Sequence, residues 1–429
     1  MYGRKRVGLI VHGSHISTSY DNNLFMRLWV LNHYADPPDG MATRTFDIAR
    51  RLVEQGNAAT VFASNFSHYR FARMRPIPWG RLWKTEVIDG VEFVWIQTTR
   101  YRLNDWARIV NMASFAVVAV IAGLLRAERP DVVIGVTVHP LAALAGYWLS
   151  KAKRARFLLE VTDLWPQTLV DLGRLAPDSE TVRWLRRLER FLFRRAERIL
   201  MLWRNTDSYV ESQGVSAEKI LWLPHGVELS RYEHLEAYTG VPAKGLFQVV
   251  YLGAFVESMA LETILEAARL LKAKGRSDIR FRLIGAGTYR NQIMARAVEL
   301  HLDTVEFPPP VPKAQIAQAM TGADAFIYGL RDVTLYKYGM SLNKVTDYLA
   351  GARPIIYYGR STYDPVSEAQ AGFTVPPGDP QAVAAAIERL VELTAAERIA
   401  MGKRGRAYLE QHHTIAVITN RLVKALSSS

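Results

Sequence analysis

The segment Lys337 to Pro354 reads K-Y-G-M-S-L-N-K-V-T-D-Y-L-A-G-A-R-P. Gly339, Ser341 and Asn343 open a run in which Val345, Tyr348 and Leu349 recur at helical spacing, which predicts a loop entering a helix. Backbone N–H groups at a helix start are unpaired and carry the positive end of the dipole, and Lys344 adds a full charge in the first turn. Asp347, one turn further in, is placed to accept hydrogen bonds from sugar hydroxyls. Gly351 and Pro354 stop the helix, and Ile355 to Tyr358 reads as the next strand. These features describe a cradle for a nucleotide diphosphate. An ordinary surface helix with a Ser or Asn cap reads the same way from this stretch alone.

The segment also resembles the donor-binding block of glycosyltransferase family 4, in its bacterial polysaccharide and O-antigen branch, where Y-G-x-S-P-N-K-x-x-[DE]-Y-M-A-x-G-x-P is typical. Tyr338, Gly339, Ser341, Asn343, Lys344, Asp347, Tyr348, Ala350 and Pro354 match, and Leu342 replaces the usual Pro. The resemblance implies the GT-B arrangement, an α/β fold of two Rossmann-like doubly wound domains facing across a cleft. It implies retaining transfer of a sugar from a UDP- or GDP-sugar to a hydroxyl of a glycan or lipid-linked acceptor in cell-surface polysaccharide biosynthesis. Asp347 falls where the family has the ribose-binding acidic residue of its E-x7-E motif, and Gly339 falls on the first acidic position. Donor contacts are expected from Gly253, Gly285, Gly287, Val311, Arg331, Lys337, Tyr338, Gly339, Met340, Ser341, Leu342, Asn343, Lys344 and Asp347.

Composition bounds the rest. The chain has 429 residues, 49% hydrophobic and 22% charged, enough for two domains with separate cores. It has no cysteine, which excludes disulfides and thiolate metal sites and fits a reducing cytoplasm. The net charge of +13 favours anionic partners: nucleotide sugars, lipid phosphates or membrane surfaces. No zinc-finger spacing, aromatic RNA-binding signature or basic tail points to nucleic acid. The longest apolar run, Met112 to Leu125, is about one third too short for a bilayer and reads as a buried helix, so no transmembrane segment is expected.

In chain order, Val7 to Val11 reads as the first strand, followed by a long loop through His12, Ser14, Tyr20 and Asp36 to Gly40. Arg44 to Gln55 is an amphipathic helix and Ala59 to Ala63 a strand. Pro38 to Met41 resembles the family's P-x-x-G-G loop with its second Gly lost, which makes Gly40 and Arg44 candidate acceptor-side contacts; simple turn and helix-surface roles read the same way. His139 stands at the C-terminal end of strand Val132 to Val136, the edge where ligands gather in such sheets, though a lone His there also reads as structural. Asp163, Leu164, Trp165 and Pro166 follow the strand Arg156 to Val161 and resemble the branch's D-L-W-P motif, which faces the acceptor. Asp163, with His139 and Lys344, is therefore a candidate catalytic residue, and Trp165 an acceptor-side contact; Asp163 also reads as a helix cap. Arg183 to Arg198 carries seven Arg along one face and an apolar stripe along the other, either a surface helix packed on its own domain or a peripheral contact with anionic membrane.

Pro224 to Glu228 resembles the family's P-N-G-V-D turn. Domain limits are expected at 1–228, with a linker 229–245, a nucleotide-sugar domain 246–405, and terminal helices 406–429 crossing back to the first domain. Alternating strands and helices predict parallel sheets covered on both faces.

One departure matters: the family usually has a Gly and a basic residue after the first strand of the second domain, where this chain has Glu257, and a carboxylate there repels a diphosphate. Arg331, Lys337 or Lys344 must then supply the charge, or donor binding is unusual, or activity is impaired. Asp-x-Asp is absent from the sequence, so no cofactor and no essential metal are expected. A nucleotide-sugar epimerase or hydrolase of the same fold, and a catalytically impaired binding module, stay open.

Overall fold

The computed structural model describes residues 25–68, 70–102 and 106–427. The strand expected at Val7 to Val11 lies outside them. The first described strand, β1 (Arg27–Leu31), falls inside the expected long loop, because Leu28, Trp29, Val30 and Leu31 are buried on both faces in the middle of a sheet. Then come α1 (Arg44–Glu54), β2 (Ala58–Ser64), β3 (Trp83–Ile88), β4 (Val91–Ile96), α2 (Trp106–Leu125), β5 (Val132–Val136), α3 (Pro140–Lys153), β6 (Arg156–Val161), α4 (Glu180–Arg195), β7 (Arg198–Met201) and β8 (Ile220–Trp222). The eight strands lie in the order β8-β7-β6-β5-β1-β2-β4-β3. All neighbours are parallel except β3 and β4. That hairpin turns at Asp89 and Gly90, both at positive φ, as a two-residue hairpin loop requires.

The second sheet is all parallel, ordered β11-β10-β9-β12-β13-β14. It is built from β9 (Phe247–Leu252), α5 (Glu262–Ala273), β10 (Ile279–Ile284), α6 (Arg290–Glu299), β11 (Val305–Glu306), β12 (Ala325–Gly329), α7 (Asn343–Ala350), β13 (Ile355–Tyr358) and β14 (Gly372–Val375). Helices α8 (Pro380–Glu392), α9 (Ala395–His412) and α10 (Ile415–Ser427) close the chain.

Parallel crossovers are right-handed, so the direction of travel through the sheet fixes the face each helix covers. α1 steps one way from β1 to β2, whereas α2, α3 and α4 all step the other way. Thus α2, α3 and α4 share one face and α1 the opposite one. Alternate residues of the strands agree: Trp29, Leu31, Phe62 and Val94 pack with Phe115, Ala119 and Leu149, while Leu28, Val30 and Val61 pack with Phe46 and Leu52 of α1. Ile415, Ile418 and Leu422 of α10 join the α1 side, so the last helix rests on the first sheet. The chain crosses between the sheets twice, and the crossings run side by side: the Val227 N–H donates to the His413 carbonyl at 2.9 Å and the Ile415 N–H to the Val227 carbonyl at 3.1 Å.

Two helix readings are corrected. The basic helix ends at Arg195 rather than Arg198, because Arg198 opens β7. The apolar run ending at Leu125 is not a buried helix: α2 is 20 residues long and only one of its faces is packed, with Val117 59% and Leu125 71% exposed.

Candidate functional site

In each sheet the strand order reverses beside the first strand, between β1 and β5 and between β9 and β12. Loops leaving the C-terminal edge there diverge and leave a crevice. Gly253 follows β9, Gly285 and Gly287 follow β10, and Arg331 follows β12. On the other sheet His139 follows β5 and Asp163 follows β6.

Helix α7 begins as the sequence predicts, but its N-cap is Leu342, with no side-chain cap hydrogen bond. Neither Ser341 nor Asn343 blocks the helix start. The Lys344 ammonium donates to the Tyr251 hydroxyl at 2.8 Å, contacts Met259 Sδ at 2.8 Å and lies 4.6 Å from the Tyr251 ring centre. It has no carboxylate partner among the described residues. The side chain keeps some contact with solvent while protein surrounds it, as at the floor of a cleft, and burial pulls its pKa from 10.5 to about 7. A Cβ on Gly253 would lie 2.7 Å from Lys344 Cε, so this Gly is what lets the lysine lie across the end of β9.

Gly285 and Gly287 serve the backbone itself. Both have φ near 150°, and a Cβ would fall 1.8 Å from the Gly253 carbonyl oxygen and 2.2 Å from that of Phe255 respectively. The Phe255 N–H in turn donates to the Ala286 carbonyl. Glu257 does not stand as an unpaired negative charge, since its carboxylate pairs with Arg331. Arg331, Glu257 and Ser258 share a groove with Asp171 and Arg174 of the first domain.

Asp347 directs Oδ1 to the Tyr232 hydroxyl at 2.6 Å, so one of its two oxygens is held by the linker. Burial raises its pKa, partly offset by that hydrogen bond and by Lys313 and Arg231. Lys313 bridges the domains through the Thr43 hydroxyl at 2.6 Å, and Arg231 binds Asp47 at 2.7 Å. Ser341, Leu342 and Met340 line a pocket with Pro224, His225 and His413 where the crossings meet. Gly339 has φ 93°, and Lys337 lies 4.8 Å from the Tyr338 ring, which meets the Tyr209 ring edge-on. Val311 is half-buried in the loop before Lys313.

On the first domain, Asp163 is solvent-accessible yet enclosed, and burial raises its pKa. It lies near Tyr336, whose ring is parallel to that of Trp203 across the domain boundary. Trp165 lines a neighbouring pocket with Asp163 and Glu189. His139 is 1% exposed and caps α3: Nδ1 accepts the Ala142 N–H and Nε2 lies 2.7 Å from His33 Nδ1. Both its nitrogens are engaged within the protein. Arg44 is also engaged, with Glu160 at 3.0 Å and the Leu223 and Pro224 carbonyls. Gly40 sits against Asp36, whose carboxylate accepts the Met41 and Ala42 N–H groups, and lines a groove with Asp39, Arg75 and Trp95.

The structure therefore gathers Gly253, Lys344, Gly285 and Arg331 on one crevice edge and places Asp163 across from Tyr336. His139 and Arg44 sit within the protein framework instead. Sequence reasoning missed Tyr251, Tyr232 and Lys313; their partners are remote in sequence, and only the lysine after the Pro-rich turn gives a signal. No group of three His, Asp or Glu side chains able to hold a metal ion occurs among the described residues.

Two largely parallel, doubly wound sheets with a crevice between their C-terminal edges make the GT-B arrangement. The Glycosyl transferase 4-like model matches residues 39–226 and the Glycosyl transferases group 1 model residues 247–393, and the chain belongs to this family 4 type of glycosyltransferase. It is 24% identical over 299 residues to the probable glycosyltransferase WbjE of Pseudomonas aeruginosa, covering 67% of this chain and 72% of that one. WcaL of Salmonella typhimurium, named for colanic acid biosynthesis, is 28% identical over 208 residues, 47% of this chain and 49% of its own length. Sucrose-phosphate synthase of Thermosynechococcus elongatus superposes with TM-score 0.72 at 16% identity, over 94% of this chain and 98% of that one. Anabaena HepE in complex with UDP-glucose gives 0.66 at 14%, over 94% and 100%.

Proposed function

We propose that the chain moves a sugar, with retention, from a UDP- or GDP-sugar to a hydroxyl of a glycan or lipid-linked acceptor in cell-surface polysaccharide synthesis, at the cytoplasmic face of the membrane. The observation that carries this is Lys344, an enclosed amine without a carboxylate partner among the described residues, beneath an uncapped helix start. A diphosphate completes both: its charge restores the ammonium and its oxygens accept the free N–H groups. Asp347 then holds the ribose through the oxygen that Tyr232 leaves open. The leaving group is neutralised by Lys344, the helix start and Arg331, so no divalent metal is needed. Asp163 faces the acceptor, and what remains is positioning and electrostatics. Peripheral contact through Arg183 to Arg198 brings a lipid-linked acceptor within reach.

The Glu257–Arg331 pair favours a second reading, a binding module that holds a donor without turning it over. Titration with UDP, GDP and their sugars, followed by product analysis with and without acceptor, separates the readings. Donor binding without turnover supports the module, sugar release without acceptor supports a hydrolase, and no nucleotide binding refutes the cradle.

A further inference from the structure

Helix α2 is inverted relative to an ordinary surface helix. Its packed face carries Asn111, Phe115, Ala119 and Ala122, whereas its outer face carries Trp106, Val110, Val117, Ile121 and Leu124 at helical spacing, all exposed. No charged side chain occurs from Ile109 to Leu125. A surface helix normally turns such a stripe inward and a polar face to water. Each large apolar side chain left in water forgoes the free energy of burial, so this face calls for a cover that no described residue provides.

Twenty residues would reach across a bilayer, but Phe115 and Ala119 are fully buried against the sheet, and extracting them would dismantle that core. The helix must therefore lie along a surface. On the same face of the sheet follow α3, with Trp148 56% exposed, and α4, with Trp184 52% exposed and Arg187, Arg190 and Arg194 outward. An apolar centre, tryptophans beside it and an arginine-rich flank form the pattern of a surface seated at a lipid headgroup boundary. A second copy of the chain would set the same basic flank against itself at like-charge cost.

We propose that the α2–α3–α4 face docks on an anionic lipid bilayer, with the outer stripe of α2 in the interface and the α4 arginines on the headgroups. This deepens the peripheral contact proposed above and rests on it only for the α4 arginines.

The chain has no cysteine, so Val117→Cys carries a single environment-sensitive fluorophore. Phosphatidylcholine–phosphatidylglycerol vesicles should shift its emission to the blue, and phosphatidylcholine vesicles should do so far less. Val117→Gln with Ile121→Gln should weaken vesicle binding by roughly tenfold or more at an unchanged unfolding midpoint. Arg187→Glu with Arg190→Glu should abolish the preference for anionic vesicles. If the α2 pair leaves binding unchanged while the α4 pair abolishes it, this proposal falls and the contact through α4 stands; if the unsubstituted chain binds no vesicles, both fall. A label already shielded without vesicles also overturns the proposal: shielding independent of protein concentration assigns the cover to residues 1–24, and shielding that grows with concentration assigns it to a second copy.

Discussion

If Lys344 faces the diphosphate, donor binding must take up a proton. The free lysine has a pKa of about 7 instead of 10.5, and an adjacent diphosphate raises it again. From pH 7 up to the pKa in the complex, affinity should then fall by about tenfold, or ~1.4 kcal/mol, per pH unit. A terminal phosphate with its second pKa near about 6 is already ionised in this range, so the trend belongs to the lysine. Calorimetric titration of UDP and GDP at pH 7 and 9, in two buffers of different ionisation enthalpy, measures both the affinity and the proton uptake. Lys344→Met should weaken diphosphate binding at pH 7 by roughly ten- to hundredfold, about 1.5–3 kcal/mol, and remove the pH dependence. Stability moves the opposite way. Between pH 7 and 10.5 the unfolded chain holds more protons at this position than the folded one, so the lysine makes the free protein less stable at the lower end of that window. Lys344→Met should therefore raise the unfolding midpoint of the free protein at pH 7. Unchanged diphosphate affinity in Lys344→Met, or a flat wild-type profile from pH 7 to 9, would refute the cradle.

Gly253→Ala should fold normally yet weaken UDP binding, because its Cβ displaces the flexible end of Lys344, whereas Gly285→Ala, driven 1.8 Å from a backbone oxygen, should lower the unfolding midpoint sharply; equal midpoints would count against this division. Glu257→Gln should raise donor affinity up to about fivefold by releasing Arg331, the ceiling expected of a solvent-exposed ion pair; no gain means that Arg331 does not bind donor. Burial raises the pKa of Glu189 from 4.5 to about 8. The folded chain therefore holds more protons there, and this contribution to stability, full below pH 4.5, is lost as pH rises to about 8. Thermal scans should find Glu189→Gln more stable than the unsubstituted chain at pH 8, by roughly 2 °C per kcal/mol recovered, with the advantage gone below pH 5.

The sequence made the α/β alternation legible because each strand–helix unit carries its own period, and α7 because Asn343 to Ala350 is punctuated by Gly and Pro. β1 was hidden by the competing apolar run at Val7 to Val11, although Leu24 to Leu31 is itself apolar apart from Arg27. The Asp89–Gly90 turn was an available hairpin signal that would have given β3. The outward face of α2 could not be read, since a run apolar on every side does not say which side packs. Nor could the partners of the site residues: Glu257 meets Arg331, Asp347 meets Tyr232 and Lys344 meets Tyr251 only through the fold. The displacement of His139 and Arg44 into framework roles has the same origin, because strand-end position does not reveal which way a side chain is already bonded.

The paired crossings at Val227 and His413 to Ile415 set how the two halves can move. A single tether would permit swivelling in any direction, but two segments hydrogen-bonded side by side resist twist and leave bending as the soft motion, as in the spine of a book. Residues beside that spine, such as His225, Ser341 and Leu342, would then hold their spacing throughout a catalytic cycle. The gap between Arg174 and Arg331, away from the spine, would change most, so admission and release would be governed at the outer rim while the grip near the axis stays constant.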